Sequence, residues 1–89
     1  LSDDGRAAFD FLDGAYDRDG RTPAQVDGGL KCFGHPVGAS GLRMVYEAYT
    51  QLLGRADRRQ LQNLDFALTH NLGGQPANSV AAVSILGRL

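Results

Sequence analysis

The segment at residues 34–41, Gly-His-Pro-Val-Gly-Ala-Ser-Gly, constrains this chain more than any other feature. Pro36 fixes φ and lacks a backbone N–H, so regular backbone hydrogen bonding ends beside His35. A helix is predicted to begin near Ala39 or Ser40, which places its unpaired N–H groups and its positive dipole end next to the imidazole. The segment therefore predicts a strand-to-helix turn that favours developing negative charge beside a group that titrates near neutrality.

The helix after this turn is predicted from apolar residues at helical spacing. They are Leu42, Val45, Tyr46, Tyr49, Leu52 and Leu53. We interpret this stripe as core packing or a subunit contact.

On the opposite face, Arg43 and Glu47 are spaced to pair at i, i+4. Gly54 is the expected stop, and the basic residues after it are expected to complement the negative end of the helix dipole. These basic residues are Arg55, Arg58 and Arg59.

The residues before the turn predict a helix, a polar loop and a short strand. Ser2 is expected to cap a helix over about residues 3–13, with Gly14 as its stop. The helical spacing is carried by Ala8, Phe9, Leu12 and Tyr16. Residues 17–27 form a polar surface loop, and Leu30 to Phe33 is predicted to be a short strand.

Two further strands are predicted near the end of the chain. Apolar and polar residues alternate from Leu64 to Leu72, which favours a strand with His70 near its end on the apolar side. Residues 73–76 are expected to turn, and the apolar run 80–86 predicts an antiparallel strand covered on both faces. The fold class is therefore α/β, in the order α-loop-β-α-β-β.

Two motifs at the right separation resemble the thiolase superfamily. Residues 28–41 resemble its Gly-Gly…Gly-His-Pro-x-Gly-Ala-Ser-Gly motif. Residues 70–74, His-Asn-Leu-Gly-Gly, and the apolar run ending at Arg88 resemble the closing segment of one branch. That branch contains sterol-carrier-protein-linked thiolases and archaeal and bacterial acetyl-CoA acetyltransferases. The resemblance covers residues 26–88, with residues 1–25 matching loosely, and it implies that residues 1–89 are the C-terminal fragment of a thiolase-like layered domain.

The resemblance implies Claisen condensation of acyl-CoA thioesters, or their thiolytic cleavage. The nucleophilic Cys would come from the remainder of the thiolase chain or from a companion chain. His35 is the implied catalytic residue, taking the thiol proton and then donating to the thioester carbonyl oxygen as negative charge builds. Acyl-CoA or CoA is the implied substrate, with no cofactor. The alternative is a non-catalytic thiolase-like subunit that binds acyl groups or lipid, or serves assembly.

The motif at residues 70–74 departs from the usual thiolase pattern. Most thiolases carry an acid/base Cys near the C-terminus, where this chain has His70; in the branch it resembles, that Cys comes from an upstream loop. We expect His70 to position the glycine loop, the alternative being that it lines the acyl pocket and assists proton transfer. Gly73 and Gly74 either present N–H groups to an oxyanion or form a tight turn.

Two further polar side chains near the turn receive structural interpretations. Cys32 is predicted to be a small buried apolar residue, since on a strand it points away from His35. Cys32, His35 and His70 also lack the paired spacing of a structural zinc site, so no metal site is predicted. Ser40 is predicted to be a helix cap. The arginines after the helix lie about 20 Å from its start, too far to hold a CoA phosphate there.

Composition and charge exclude several classes of protein. The 89 residues are 43% apolar and 21% charged, which is typical of a globular domain. Residues 1–27 hold seven Asp and three Arg, net −4, while residues 28–89 carry net +3. The positive part suits an anionic thioester, but this net charge is small, and ordinary solvated charges explain it better. The acidic part disfavours a nucleic-acid partner.

Localisation and assembly are predicted from the same sequence. An apolar run of about 18 residues is lacking, so no membrane span is expected. A single Cys cannot form an internal disulfide, which favours a reducing compartment. We expect a cytoplasmic protein, with the peroxisome as the alternative in a eukaryote, and a homo-oligomer.

Overall fold

Three helices precede a two-stranded hairpin. The elements are α1 (Ala7–Leu12), α2 (Gly29–Phe33), α3 (Ser40–Leu52), a 3₁₀ turn (Asp57–Arg59), β1 (Phe66–Gln75) and β2 (Asn78–Gly87). The computed structural model describes residues 1–89, which form two units, Leu1–Gly34 and His35–Leu89. The predicted α/β class is confirmed. None of the helices is both long enough and apolar enough to span a membrane.

Helix α1 starts four residues later than predicted. Gly5 adopts a φ of 75°, a left-handed conformation that no right-handed helix contains, so the helix cannot run from residue 3. It begins at Ala7 and ends at Leu12, before Gly14 with a φ of 76°. The predicted stop at Gly14 therefore holds, whereas the predicted start does not.

Ser2 anchors the first unit instead of capping α1. Its hydroxyl donates to Oδ2 of Asp10 at 2.6 Å and also contacts the Tyr16 hydroxyl. Arg21 donates to the same carboxylate oxygen at 2.5 Å. The Ser2 hydrogen bond, helped by the charges of Arg21 and Arg6, lowers the pKa of Asp10 against the opposing effect of burial. A buried carboxylate thus organises this unit.

The predicted strand at Leu30 to Phe33 is wrong, because these residues form helix α2. Gly28 has a φ of 88°, and the Asp27 carboxylate accepts the Gly29 N–H at 2.9 Å, a turn that winds the chain into a helix. A Cβ on Gly28 would collide with the Cys32 sulfur. The Cys32 thiol is exposed, so its predicted burial is wrong as well.

Helix α3 confirms the start, length and end that the sequence predicts. It begins at Ser40, and after Leu53 the chain leaves the helix through Gly54, which has a φ of 69°. The Gly54 N–H bonds the Gln51 carbonyl at 3.1 Å, and the Arg55 N–H bonds the Thr50 carbonyl at 2.9 Å. These two bonds form a Schellman motif, which satisfies carbonyls that the helix end leaves unpaired.

The buried face of α3 differs from the predicted one. Ala48 and Leu52 are buried, as is Ala56 beyond the helix, whereas most of the predicted stripe is exposed. The exposed members are Leu42, Tyr46, Tyr49 and Leu53. The helical period is therefore correct, but within these 89 residues most of the stripe that it defines is left uncovered, with Leu52 as its one buried member.

A polar cluster fastens the 3₁₀ turn to α3. Arg59 donates to both carboxylate oxygens of buried Glu47, at 3.2 and 3.0 Å, and Gln51 donates to Oε1 at 3.1 Å. The Gln51 side chain also bonds the Arg59 carbonyl and the Leu61 N–H, each at 2.9 Å. Arg59 is thus a direct partner of Glu47, in addition to the predicted i, i+4 neighbour Arg43, whose charge also acts on this carboxylate, and Arg59 does more than complement a helix dipole.

Burial raises the pKa of the Glu47 carboxyl, but the hydrogen bonds and charges around it have the larger combined effect. The hydrogen bonds from Arg59 and Gln51, together with the positive charges of Arg59 and Arg43, hold the pKa below its usual value. Arg59 therefore donates hydrogen bonds to this carboxylate, and the positive charge of Arg43 adds to the stabilisation of its ionised form.

Strands β1 and β2 form the predicted antiparallel pair, but all of β2 except Leu86 is exposed, so the predicted covering of both its faces is not found within these 89 residues. Their register runs from Phe66 opposite Gly87 to Gln75 opposite Asn78. β1 continues through the glycines at which a turn was expected, and the chain reverses instead at Pro76 and Ala77, where Ala77 has a φ of 68°. Helix α3 packs against this hairpin, mainly against β1.

Candidate functional site

His35 and Ser40 lie at the two ends of the turn that leads into α3. Nδ1 of His35 is 2.7 Å from the Ser40 hydroxyl oxygen. That oxygen is 3.2 Å from the carbonyl oxygen of Pro36, which also accepts the N–H groups of Ala39 and Ser40 at 2.8 and 3.0 Å. The Ser40 hydroxyl therefore links Nδ1 of His35 to the Pro36 carbonyl, and the backbone bonds to the same carbonyl hold the turn.

The outer part of this turn faces solvent. His35, Pro36 and Val37 are exposed, whereas Ser40 is buried. Since Ser40 occupies Nδ1, Nε2 is the nitrogen that remains open to a ligand or another residue. The geometry supports proton transfer or hydrogen bonding at Nε2, beside the positive end of a 13-residue helix.

Ser40 does not have the predicted role of a helix cap. The residue in the capping position is Ala39, and no side chain caps the helix start. Ser40 is the first residue of α3, and its hydroxyl bonds backwards to the carbonyl four residues earlier. The sequence suggested a cap because serine is common there, whereas the helix starts one residue too early for that role.

The hairpin places His70 on the apolar side of β1, as predicted, but this side is exposed and does not face α3. Successive side chains of a strand point to opposite faces. Thr69 is buried, and the Asn71 amide lies near Gly41, where a Cβ would be 3.5 Å from Oδ1, so these odd-numbered residues face α3. His70 lies on the other face with Phe66 and Leu68, and it is exposed opposite Val83.

Asn71 is therefore the member of the His-Asn motif that reaches the first turn of α3. Apolar periodicity does not single out Asn71, because the apolar residues of β1 mark the opposite face of the strand. The usable signal was the polar face itself, since Thr69 and Asn71 share it. A small residue at Gly41 leaves room for the Asn71 amide.

Gly73 and Gly74 lie in the ladder, opposite Val80 and Ser79. Gly74 has a φ of 99°, and a Cβ there would lie 2.5 Å from the Asn78 carbonyl oxygen. Gly73 has open space around the position of a Cβ. The backbone conformation and the close Asn78 carbonyl therefore require glycine at position 74, whereas the space around Gly73 would accept a side chain.

Comparison with known proteins places these features in a family. Residues 1–88 match the family described as Thiolase C-terminal domain-like. The chain is 42% identical over 78 residues to an acetyl-CoA acetyltransferase of Methanothermobacter thermautotrophicus, a match that covers 88% of this chain and 20% of that protein. No solved structure shows significant similarity to the chain.

Proteins with lipid-related names also match. Identity is 42% over 69 residues with sterol carrier protein 2 of Oryctolagus cuniculus, covering 78% of this chain and 12% of that protein. It is 39% over 54 residues with non-specific lipid-transfer protein-like 2 of Caenorhabditis elegans, covering 61% and 13%. The chain thus spans a fifth or less of the length of these relatives.

Proposed function

This chain belongs to the thiolase C-terminal domain-like family, and we propose that it supplies His35 to an acyl-CoA acyltransferase of the thiolase type. The observation that carries the proposal is the exposed His35 imidazole, held at Nδ1 by Ser40 at the start of α3, with Nε2 open. The acetyl-CoA acetyltransferase similarity supports an acyl-CoA thioester as the substrate.

The proposed reaction begins with a cysteine thiol outside these 89 residues. Nε2 of His35 accepts the thiol proton, and the S–H electron pair remains on sulfur as a thiolate. The thiolate attacks the thioester carbonyl carbon, while the new Nε2–H donates to the oxygen on which negative charge develops. When the carbon–sulfur bond to CoA breaks, the CoA thiolate takes the proton from Nε2. The acyl group is left on the cysteine.

The second half-reaction sets the direction. In condensation, the acid/base cysteine that the family resemblance implies outside these residues takes the α-proton of a second acyl-CoA, and the resulting carbanion attacks the carbonyl carbon of the acyl cysteine. The carbon–sulfur bond to the enzyme then breaks and leaves the cysteine as a thiolate; in cleavage, the same steps run in reverse. We propose that His70, Gly73 and Gly74 act on the substrate side, His70 as a positioning group and the glycines through their backbone N–H groups. Their family motif, His-Asn-Leu-Gly-Gly, supports this assignment.

Replacement of His35 by Asn tests the proposal. An Asn amide reaches the place of Nδ1 and keeps a partner for Ser40, but it has nothing in the place of Nε2. We expect kcat and kcat/KM of the intact enzyme to fall together by about 10²–10⁴-fold, because the lost interactions exist only in the transition state. Val37→Ala, in the same exposed turn, is the control and should keep wild-type rates. A raised KM with unchanged kcat would show that His35 binds substrate without moving protons.

The alternative function is binding of acyl groups or lipid without turnover. It is favoured by the similarity to sterol carrier protein 2 and by the exposed apolar face of β1. Incubation of the intact protein with acetyl-CoA, followed by intact mass and peptide mapping, separates the two functions. Acetylation of a cysteine other than Cys32 supports the thiolase reaction. Binding of the thioester without any acyl-protein supports the alternative.

A further inference from the structure

The Ser40 hydroxyl lies between Nδ1 of His35 and the carbonyl oxygen of Pro36, with a single proton to give. It is 2.7 Å from Nδ1 of His35 and 3.2 Å from the carbonyl oxygen of Pro36. Only 7% of Ser40 is exposed, so water has little access to this hydroxyl. The direction in which the hydroxyl proton points therefore decides which ring nitrogen of the neutral imidazole carries its proton.

The oxygen–oxygen contact decides the direction. The Pro36 carbonyl is held in place by the N–H groups of Ala39 and Ser40. If the hydroxyl proton pointed to Nδ1, two oxygen lone pairs would face each other at 3.2 Å in a buried position with no proton between them. With the hydroxyl donating to the carbonyl, its oxygen accepts a proton from Nδ1–H, and each hydrogen atom has a partner.

We propose that Ser40 is a positioning residue that selects the Nδ1–H tautomer of neutral His35 and so leaves a bare lone pair on Nε2. The tautomer assignment stands on the hydrogen bonds alone, while its consequence for turnover rests on the proposed function. When Nε2 takes the proton of a cysteine thiol, the S–H electron pair stays on sulfur. The Nδ1–H bond to Ser40 is unchanged throughout, so proton transfer requires no rearrangement in the turn.

Nitrogen-15 NMR of the intact protein with labelled histidine tests the tautomer directly. At a pH where the rings are neutral, Nδ1 of His35 should give the shift of a protonated nitrogen and Nε2 that of an unprotonated one. The exposed imidazole of His70 has no hydrogen bond within the chain and serves as the internal reference. It should show the Nε2–H tautomer that a free imidazole favours in water. The His35→Asn variant assigns the signals. A wild-type His35 with its proton on Nε2 would overturn the proposal.

Substitution at Ser40 tests the cause. Ser40→Ala should move the proton of His35 to Nε2, and Ser40→Thr should retain it on Nδ1, because a threonine hydroxyl also bonds the carbonyl four residues earlier. Thr50→Ala is the matched control, since Thr50 donates to the Tyr46 carbonyl at 2.7 Å in the same helix without contacting a histidine. An unchanged tautomer in folded Ser40→Ala would refute the role of Ser40.

Kinetics of the same variants separate this proposal from the proposed function. Ser40→Ala should lower kcat about 10-fold at unchanged KM, well below the loss of about 10²–10⁴-fold for removing the acid–base group itself. Ser40→Thr should restore the rate. A tautomer shift in Ser40→Ala with unchanged kcat would leave the Ser40 assignment intact and contradict proton transfer at His35 instead.

Discussion

The contact between Glu47 and Arg59 gives the sharpest test of how the second unit is held together. Glu47 accepts two hydrogen bonds from the Arg59 guanidinium, at 3.0 and 3.2 Å, and one from Gln51 at 3.1 Å. Glu47→Gln keeps the shape of the side chain but removes its charge and turns one oxygen into an NH₂ group. With the NH₂ group in the place of Oε2, one Arg59 hydrogen bond is lost, the remaining one no longer joins two opposite charges, and Gln51 donates to a neutral oxygen.

The expected cost follows from the exposure of the two partners. A hydrogen bond to a charged group contributes about 1.5–3 kcal/mol, and breaking a fully buried pair costs about 3–5 kcal/mol. The side chain of Glu47 is only 12% exposed, but that of Arg59 is 43% exposed and regains water when released. We therefore expect local opening of the turn to become easier by about 2 kcal/mol, which is about 30-fold in an equilibrium constant.

Amide hydrogen exchange of the intact protein measures this opening. The Leu61 N–H bonds the Gln51 side chain and is the reporter. Its protection should fall about 30-fold in Glu47→Gln. Asp65→Asn, which removes one negative charge from an exposed side chain in the same unit, should leave it unchanged. A change of less than about 3-fold in Leu61 protection, or an equal loss in both variants, would refute the reasoning.

The same contact fixes a pH dependence. The pKa of Glu47 in the folded protein is lowered from its ordinary value of 4.5, so the contribution of its charge to the stability of the turn is fully present above that pH. It is lost as the pH falls through the lower folded pKa, because protonation removes the charge that Arg59 binds. The difference in Leu61 protection between the wild type and Glu47→Gln should accordingly narrow on acidification below 4.5. A difference that stays constant there would contradict the ionised pair.

Two further substitution pairs test the hairpin. Gly74→Ala should destabilise the hairpin by more than about 1 kcal/mol, because Ala disfavours a φ of 99° and its Cβ would lie 2.5 Å from a backbone oxygen. Gly73→Ala should cost less, since there is open space around the position of its Cβ. Amide exchange across β1 compares the two variants. His70→Ala and His70→Cys should both lose modest activity and keep the pH profile of the chemical step. Abolished turnover in Ala with rescue in Cys would make His70 the acid/base.

The sequence predicted the elements whose local signals agree. The period of α3, its start after Pro36 and its stop at Gly54 all indicate the same helix, and two apolar runs separated by a turn indicate the hairpin. At Leu30 to Phe33 the signal is four residues long, which cannot distinguish a strand from one helical turn. The Asp27 carboxylate decides this case through a bond that periodicity does not contain.

The candidate site was predicted in part for a similar reason. The Gly-His-Pro motif identified His35. The role of Ser40, however, depends on the helix starting at Ser40 itself, whereas a capping Ser40 would require the helix to start one residue later. A boundary uncertain by one residue changes a cap into a histidine partner. The face of β1 that meets α3 also could not be predicted, since the apolar alternation pointed to the face with His70.

The inverted burial of the second unit explains why the pattern and the packing disagree. Polar residues Glu47, Gln51 and Thr69 are buried, while the apolar stripe of α3 and the apolar face of β1 are exposed. Each polar group is satisfied, as no buried side-chain nitrogen or oxygen lacks a partner. An apolar stripe at clean helical spacing indicates a face that another layer can cover. Hydrophobic periodicity therefore predicts which face of an element another layer can cover. Within these 89 residues, hydrogen bonds between polar groups connect α3 to the 3₁₀ turn.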